Sequence, residues 1–352
     1  MVDRTSTFFF PVLKSKVDRY FEQSHLSRSG GRRLLTKAVV QVLVAVGLYL
    51  GLLFLSLPAW ALFTGAVLFG VTLAVLGFNV MHEGGHQSFS RYAWLNSLAA
   101  YMLNVLGGNT HYWKIKHNIN HHTHTNVAGI DSDINVEPFM RLHPNQPLRQ
   151  LHRYQHVYWV VLYGISYIAW VFYEDFVKYF SGRVAVHMPV KRLAFREHVI
   201  FWTTKVLYVV VYLAIPVWAL GWVNAIAVFL LATVTCGLFI SIVFQLAHVV
   251  EATDFPLGGA VKGEWALHQI NTTSNFATHN RLLFWLLGGL NFQVEHHLFP
   301  KVSHVHYPQL NRLVKQTCRE FNIAYHEYSS MFDALRSHLR YLQKMGTTPI
   351  PA

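Results

Sequence analysis

Residues 59–80 read AWALFTGAVLFGVTLAVLGFNV, and Met81-His82-Glu83-Gly84-Gly85-His86 follows without a break. The first segment carries no charge and is long enough for a bilayer core, which takes ~20 mostly apolar residues per helix. The second ends it in two histidines four residues apart, which a helix projects from one face. Three further runs, residues 37–57, 201–220 and 222–247, are as apolar. The turns Leu57-Pro58-Ala59 and Leu220-Gly221-Trp222 are so tight that the four runs pair into two hairpins.

Composition agrees with membrane residence. Charged residues make up 13% of the chain, about half the ~25% of soluble domains. The net charge of +12 suits anionic headgroups or an acidic carrier protein. No nucleic-acid motif accompanies it, and no nucleic-acid partner is expected. Two cysteines, Cys236 and Cys318, exclude a disulfide scaffold, a Cys-x-x-Cys zinc site and a cysteine-ligated iron–sulfur cluster. Asp3, Asp18 and Glu22 interrupt the basic N-terminus and no early apolar core follows, so no cleaved signal peptide is expected.

Both hairpin turns lack Lys and Arg, and all 29 basic residues fall in the N-terminal, middle and C-terminal segments, Lys205 just inside the third run. The positive-inside rule makes those segments, and both termini, cytoplasmic. Two shorter runs, residues 93–108 and 157–173, are rich in aromatic residues, Asn or Ser. Histidine clusters that meet in one site must share a side of the membrane, so an even number of crossings separates them. The shorter runs therefore read as interfacial helices. The expected fold is an all-α integral membrane protein, one domain over residues 1–352, with four transmembrane helices and a cytoplasmic histidine-rich cap.

The clusters are His82-Glu-Gly-Gly-His86, His117-Asn-Ile-Asn-His121-His122 and Gln293-Val-Glu-His296-His297. Any one of these histidines alone reads as a satisfied or solvated side chain. Seven at such spacings, beside a bilayer, point to a transition-metal site. His82-Glu-Gly-Gly-His86 also matches the zinc-protease pattern H-E-x-x-H, but that reading leaves the other clusters unexplained. A metal transporter or histidine-rich sensor should place ionisable residues inside its spans, and the four runs are nearly devoid of them.

These boxes resemble the membrane fatty-acyl desaturases, whose members carry H-x-x-x-H, H-x-x-(x)-H-H and [H/Q]-x-x-H-H around two membrane hairpins. Gln293 at the head of the third box is similar to the front-end subgroup, which adds a double bond between an existing one and the carboxyl end. The stretch from Asn291 to Pro300, with His304-Val-His306-Tyr-Pro308, is the most specific part, and the resemblance runs from Thr36 to Tyr325. It implies a di-iron site ligated by His82, His86, His117, His121, His122, His296 and His297, with His248 of Gln245-Leu-Ala-His248 as a further ligand.

Gln293, His268, His124 and Asp131 are candidates for ligation or for supporting the ligands, and His111 for a structural part. Asp131, Asp133 and Glu137 could hold ligand ring N–H groups, although they read first as a solvated acidic loop. No catalytic group is expected apart from the metal site. The co-substrate would be O2, and the acyl chain would enter between the spans. Lys114, Lys116, Arg149, Arg153, Lys191, Arg192 and Arg196 are candidates for its headgroup or for membrane-surface charge. The expected product is a cis Δ6 or Δ5 bond in an 18-carbon polyunsaturated acyl-CoA or acyl-lipid. A fatty acyl or lipid hydroxylase is the alternative on the same scaffold, with a sphingolipid desaturase disfavoured by Gln293.

The sequence contains no His-Pro-Gly-Gly motif of a fused cytochrome b5; His143-Pro-Asn-Gln146 is not one. Electrons are thus expected from a separate carrier, ferredoxin or free cytochrome b5, and the expected location is a bacterial inner membrane.

Overall fold

The computed structural model describes residues 8–185, 187–190, 193–256 and 264–349. The helices are α1 (Phe9–Ser24), α2 (Gly31–Phe54), α3 (Ala59–Gly85), α4 (Ala93–Val105), α5 (Thr110–Lys114), α6 (Gln150–Ser181), α7 (Phe195–Leu220), α8 (Trp222–His248), α9 (Trp265–Asn271), α10 (Arg281–Leu286), α11 (Gln293–Leu298), α12 (Tyr307–Glu320) and α13 (Met331–Thr347). Among the described residues there are also two short ribbons: β1 (Arg183–Ala185) antiparallel to β2 (Met188–Pro189), and β3 (Asn275–Phe276) parallel to β4 (Glu327–Tyr328). Four π turns interrupt or extend the helices, at Gly77–Met81, Ile115–His121, Trp170–Glu174 and Val210–Ala214. Such turns concentrate at functional sites because they re-aim side chains, and two of them touch histidine boxes.

Among the described residues five helices, α2, α3, α6, α7 and α8, are long and apolar enough to cross a membrane. Four match the expected runs. The fifth, α6, is a 32-residue run where an interfacial helix over residues 157–173 was expected. Its ends escaped the sequence reading because Arg153, Asp175 and Lys178 look like boundaries. In the fold Asp175 and Lys178 are buried, and the helix runs through them.

The chain divides into two compact units. One comprises residues 32–115 and 160–242, and the other residues 1–31, 116–159 and 243–352. In the first, small residues set how closely helices approach. A Cβ on Gly237 of α8 would lie 2.9 Å from the Tyr163 carbonyl oxygen of α6. Gly84 does the same for the first histidine box: its added Cβ would sit 2.7 Å from the Ala99 side chain of α4. Glycines that cost helix propensity are thus required where α3 and α4 touch.

This unit also holds an ion pair inside its apolar helices, where few ionisable groups were expected. The Lys205 ammonium of α7 donates to Asp175 at 2.9 Å, to the Val171 carbonyl at 2.7 Å and to the Gly107 carbonyl at 2.6 Å. The π turn at Trp170–Glu174 supplies the Val171 carbonyl. One cation therefore ties α6, α7 and the turn after α4 together.

In the other unit, α1 presents Phe9, Leu13, Val17 and Phe21, one per helical turn, to a core with Ala266 and Ile270 of α9, Val294 and Leu298 of α11, and Leu310, Val314 and Cys318 of α12. This core backs the third histidine box directly, since α11 carries both.

Among the described residues, replacing Lys205 with Met leaves buried Asp175 with Trp170 Nε1 at 3.2 Å and Lys178 at 3.9 Å. Removing one partner of a buried pair is expected to cost ~3 kcal/mol. Thermal unfolding of the detergent-solubilised protein should show a clearly lowered midpoint, partly restored in Lys205→Met/Asp175→Asn.

Candidate metal centre

The second box lies on the π turn Ile115–His121, and that geometry explains its spacing. On an α-helix residues i and i+5 point apart, whereas i→i+5 hydrogen bonding brings them to one side. His117 and His122 accordingly face each other, Nε2 to Nε2 at 3.3 Å. His121 stacks beside His117 with ring centroids 5.4 Å apart.

Three elements, the second box, the end of α8 and α11, then converge. His248 ends α8, and its ring centroid lies 4.7 Å from that of His121 and 4.9 Å from that of His297. His297, on α11, stacks against His122 at 4.3 Å, and His296 lies 4.7 Å from His122. The ligand atoms of His121, His248 and His297 all fall within 4.8 Å of one another, as do those of His122, His296 and His297. Apolar burial is nearly complete: His121, His248 and His297 show no exposed surface.

What lies behind each ring decides which nitrogen faces inward. Asp131 accepts from His121 Nδ1 at 3.0 Å, so the Nε2 lone pair points into the cluster, and that atom has no hydrogen-bond partner among the described residues. Gln269 Oε1 accepts from His297 Nδ1 at 2.7 Å, and the Thr272 carbonyl faces His248 Nδ1 at 3.4 Å. The Tyr307 hydroxyl faces His296 Nδ1 at 3.1 Å. An acceptor behind each ring is the arrangement that metal-bound histidines use to fix tautomer and direction. Nitrogen donors at this density fit iron.

Charge follows the same division. Burial presses the His121 pKa down, but the charge and hydrogen bond of Asp131, with Asp133 behind, outweigh it and hold the ring above its ordinary value. Burial and the surrounding imidazoles push His297 well below the ordinary range, toward the neutral form that binds metals.

Gln293 sits inside the cluster. Its amide nitrogen is 2.9 Å from His248 Nε2 and 3.3 Å from His297 Nε2, so its N–H groups face the inward lone pairs. Asp131 is buried, which corrects the solvated-loop reading: it also accepts from the Asn126 and Asp133 amides at 2.9 Å each. Asp133 pairs with Lys116 at 2.7 Å, and Glu137 is exposed and away from this network. His268 is buried with its pKa lowered by burial, yet joins none of the ligand groupings found among the described residues. His124 is half-buried and likewise outside them.

His82 and His86 belong to the other unit. Both are buried, 4.6 Å apart by ring centroid, with Trp113 at 5.8 and 6.0 Å. Glu83 between them accepts from the Ser88 hydroxyl at 2.8 Å. Half-buried His111 lies in the same unit, close against Tyr112. Of the headgroup candidates, Arg149, Arg153 and Arg196 are exposed and Lys114 is half-buried. Lys191 and Arg192 fall outside the described residues.

Sequence reasoning missed Gln269 and Thr272, because these acceptors behind a ring belong to no motif, and it quoted Tyr307 within His304-Val-His306-Tyr-Pro308 without reading its role. It also missed Glu295, buried between the box residues. Its carboxylate accepts from Asn275 at 2.7 Å, Tyr325 at 3.0 Å and Asn311 at 3.2 Å. Burial raises its pKa to about 7. Asn126 likewise went unread, though its amide donates to the His248 carbonyl at 2.7 Å and stitches the second box to the end of α8.

Comparison with known proteins gives this arrangement its class. The fatty acid desaturase family model matches residues 58–329. A sn-1 linoleoyl-lipid 6-desaturase of Arthrospira platensis is 31% identical, over 97% of this chain and 93% of its own. An acyl-lipid (8-3)-desaturase of Physcomitrium patens is 33% identical over 98% and 73%. The Delta(5) fatty acid desaturase A of Dictyostelium discoideum is 29% identical over 97% and 75%. The chain belongs to the fatty acid desaturase family. It is an oxidoreductase of the front-end type, an integral membrane protein that takes a fatty acyl substrate and draws on an electron donor.

Asp131→Asn tests the acceptor behind His121. Loss of such a partner typically weakens metal binding about 10–100-fold. Iron per polypeptide after a chelator challenge should fall well below that of the parent, and equal retention would remove Asp131 from the metal's support.

Proposed function

We propose that this enzyme is an O2-dependent di-iron desaturase that introduces a cis Δ6 bond into an 18-carbon acyl group held on a glycerolipid. The observation carrying the reading is the convergence of His117, His121, His122, His248, His296 and His297, with an acceptor behind four of their rings. His82 and His86 would supply the remaining imidazoles, as the first box of the family does, and Gln293 would orient His248 and His297. The family match spans both units, in keeping with one working domain. Linoleoyl-lipid 6-desaturases among the relatives that align over nearly their whole length favour Δ6 and a lipid carrier over Δ5 and CoA.

Removing hydrogen from an unactivated methylene needs an oxidant made from O2, and bound iron supplies that chemistry. The chain's own residues do the rest. Buried imidazoles would hold the metal without adding carboxylate charge, and apolar helices would exclude water and keep the acyl chain extended. Positioning of one C–C bond is then the protein's main contribution. His268, His124 and the headgroup candidates keep the supporting roles expected of them.

Topology follows from parity. His121 and His248 lie together, so an even number of crossings separates them, yet α6, α7 and α8 intervene. We assign the crossings to α7 and α8, joined at Gly221, and place α6 and α4 at the interface. On α4 exposed Trp94, Leu98 and Val105 oppose buried Asn96 and Asn104. That leaves four spans, with the cap and termini cytoplasmic in a bacterial inner membrane, and ferredoxin or free cytochrome b5 as donor.

Expression in a host without polyunsaturated-fat synthesis, fed linoleate, should yield a new acyl chain bearing a double bond at carbon 6, first in the glycerolipid fraction. Gas chromatography–mass spectrometry reads the position, and a hydroxylated product would overturn the desaturase chemistry. His297→Ala should lose all product while inserting normally in the membrane. Gln293→His should keep its iron, and complete loss would mean that the glutamine itself is a ligand.

A further inference from the structure

The C-terminal helix α13 carries a charge pattern that the catalytic reading does not use. Phe332, Arg336, Arg340 and Lys344 recur every four residues and are all exposed, a continuous stripe along one face. Arg336 lies over the Phe332 ring at 4.8 Å. Among the described residues none of the three cations forms an ion pair, and Asp333 is the one acid on the helix.

The opposite face of α13 reaches the metal centre's own backbone. Buried His338 lies with Nδ1 2.6 Å from the Val249 carbonyl, and Val249 follows His248 in the chain. Ser337 accepts from the Glu251 amide at 3.0 Å. One turn of helix therefore separates an exposed cationic surface from the peptide that carries a candidate iron ligand. On α12 exposed Arg312 and Arg319 flank Lys315, which is bound to Glu327, and α1 pairs Lys14 and Lys16 with Asp18 and Glu320, so neither helix presents three successive cations outside an ion pair among the described residues.

We propose that the Arg336–Arg340–Lys344 stripe is the docking surface for a small acidic one-electron carrier protein, with electrons entering through His338 and the Val249 peptide toward His248. The proposal rests on the desaturase reading above. Each double bond requires the carrier twice: the C–C bond gives up two hydrogens, two carrier molecules are each oxidised by one electron, two protons come from solvent, and O2 is reduced to two waters. Charge complementarity favours an acidic protein, since cationic surfaces steer such partners. A lipid surface is the poorer occupant because a membrane-lying helix needs an exposed apolar face. The apolar face of α13, with Ala334, Tyr341, Leu342 and Met345, is already buried.

The test uses iron-loaded enzyme in neutral phosphatidylcholine nanodiscs, comparing the parent with Arg336→Gln/Arg340→Gln/Lys344→Gln and with Arg340→Glu. Reduced ferredoxin and reduced soluble cytochrome b5 are titrated separately, and reduced methyl viologen serves as a small donor that needs no docking surface. The expected result is a carrier KM raised roughly tenfold in the triple variant, with kcat at saturating carrier and the methyl viologen rate unchanged. Rising salt should raise the parent's carrier KM and leave the variant's nearly flat. An unchanged carrier KM overturns the proposal, as does a methyl viologen rate that falls in step with the carrier rate. Weakened binding to anionic vesicles with an unchanged carrier KM would assign the stripe to lipid instead. A parent that makes no product with methyl viologen would remove the desaturase reading itself.

Discussion

An imidazole binds a metal only through a lone pair, and the direction of that lone pair is decided by whatever holds the ring's other nitrogen. Here the holders come from unrelated places in the chain. Asp131 stands in the loop after the second box, Gln269 and Thr272 at and after the end of α9, and Tyr307 at the start of α12. Each holder must be placed before its histidine can aim inward. The elaborate packing around α11 and α12 has this as its consequence: Asn275, Asn311 and Tyr325 grip Glu295, and the grip fixes the helix that bears His296 and His297.

Two solvents meet at this site, and the fold separates the demands each makes. Apolar helices satisfy their backbone internally, as a bilayer requires. The polar network gathers in the unit built from residues 116–159 and the C-terminal third. Arg141 shows the same economy away from the metal. It is fully buried, yet its guanidinium donates to the carbonyls of Gln146, Met345 and Thr348 and so closes the C-terminal helix against the loop before α6.

Much of this was legible in the residues. Hydropathy located four of the five long apolar helices, and spacing located every histidine box, because both signals are periodic and local. The helix α6 was shortened by its charges, since a sequence does not reveal that Asp175 has Lys205 as a buried partner. The second box was read as an α-helical i, i+4 pair with a neighbour, while the fold uses a π turn that puts His122 opposite His117. Asp131 looked like surface because a carboxylate's burial depends on the imidazole it meets. Gln269 and Thr272 behind the rings left no signal, because a glutamine amide and a threonine carbonyl carry no motif, and Tyr307 was legible only as part of the stretch around His304 and His306.

The π turn at Ile115–His121 makes the second box sensitive to chain length in a way the other boxes are not. A π turn holds one more residue per turn than the ladder around it, so it behaves as a stored insertion. Deleting any one residue between His117 and His122 lets the ladder close into ordinary α-helix: the two histidines become i and i+4 and still share a face, but everything after the deletion is turned by ~100° relative to the residues before it. Change in this segment is therefore expected to move through composition at constant length, because a deletion would re-aim every residue that follows the second box.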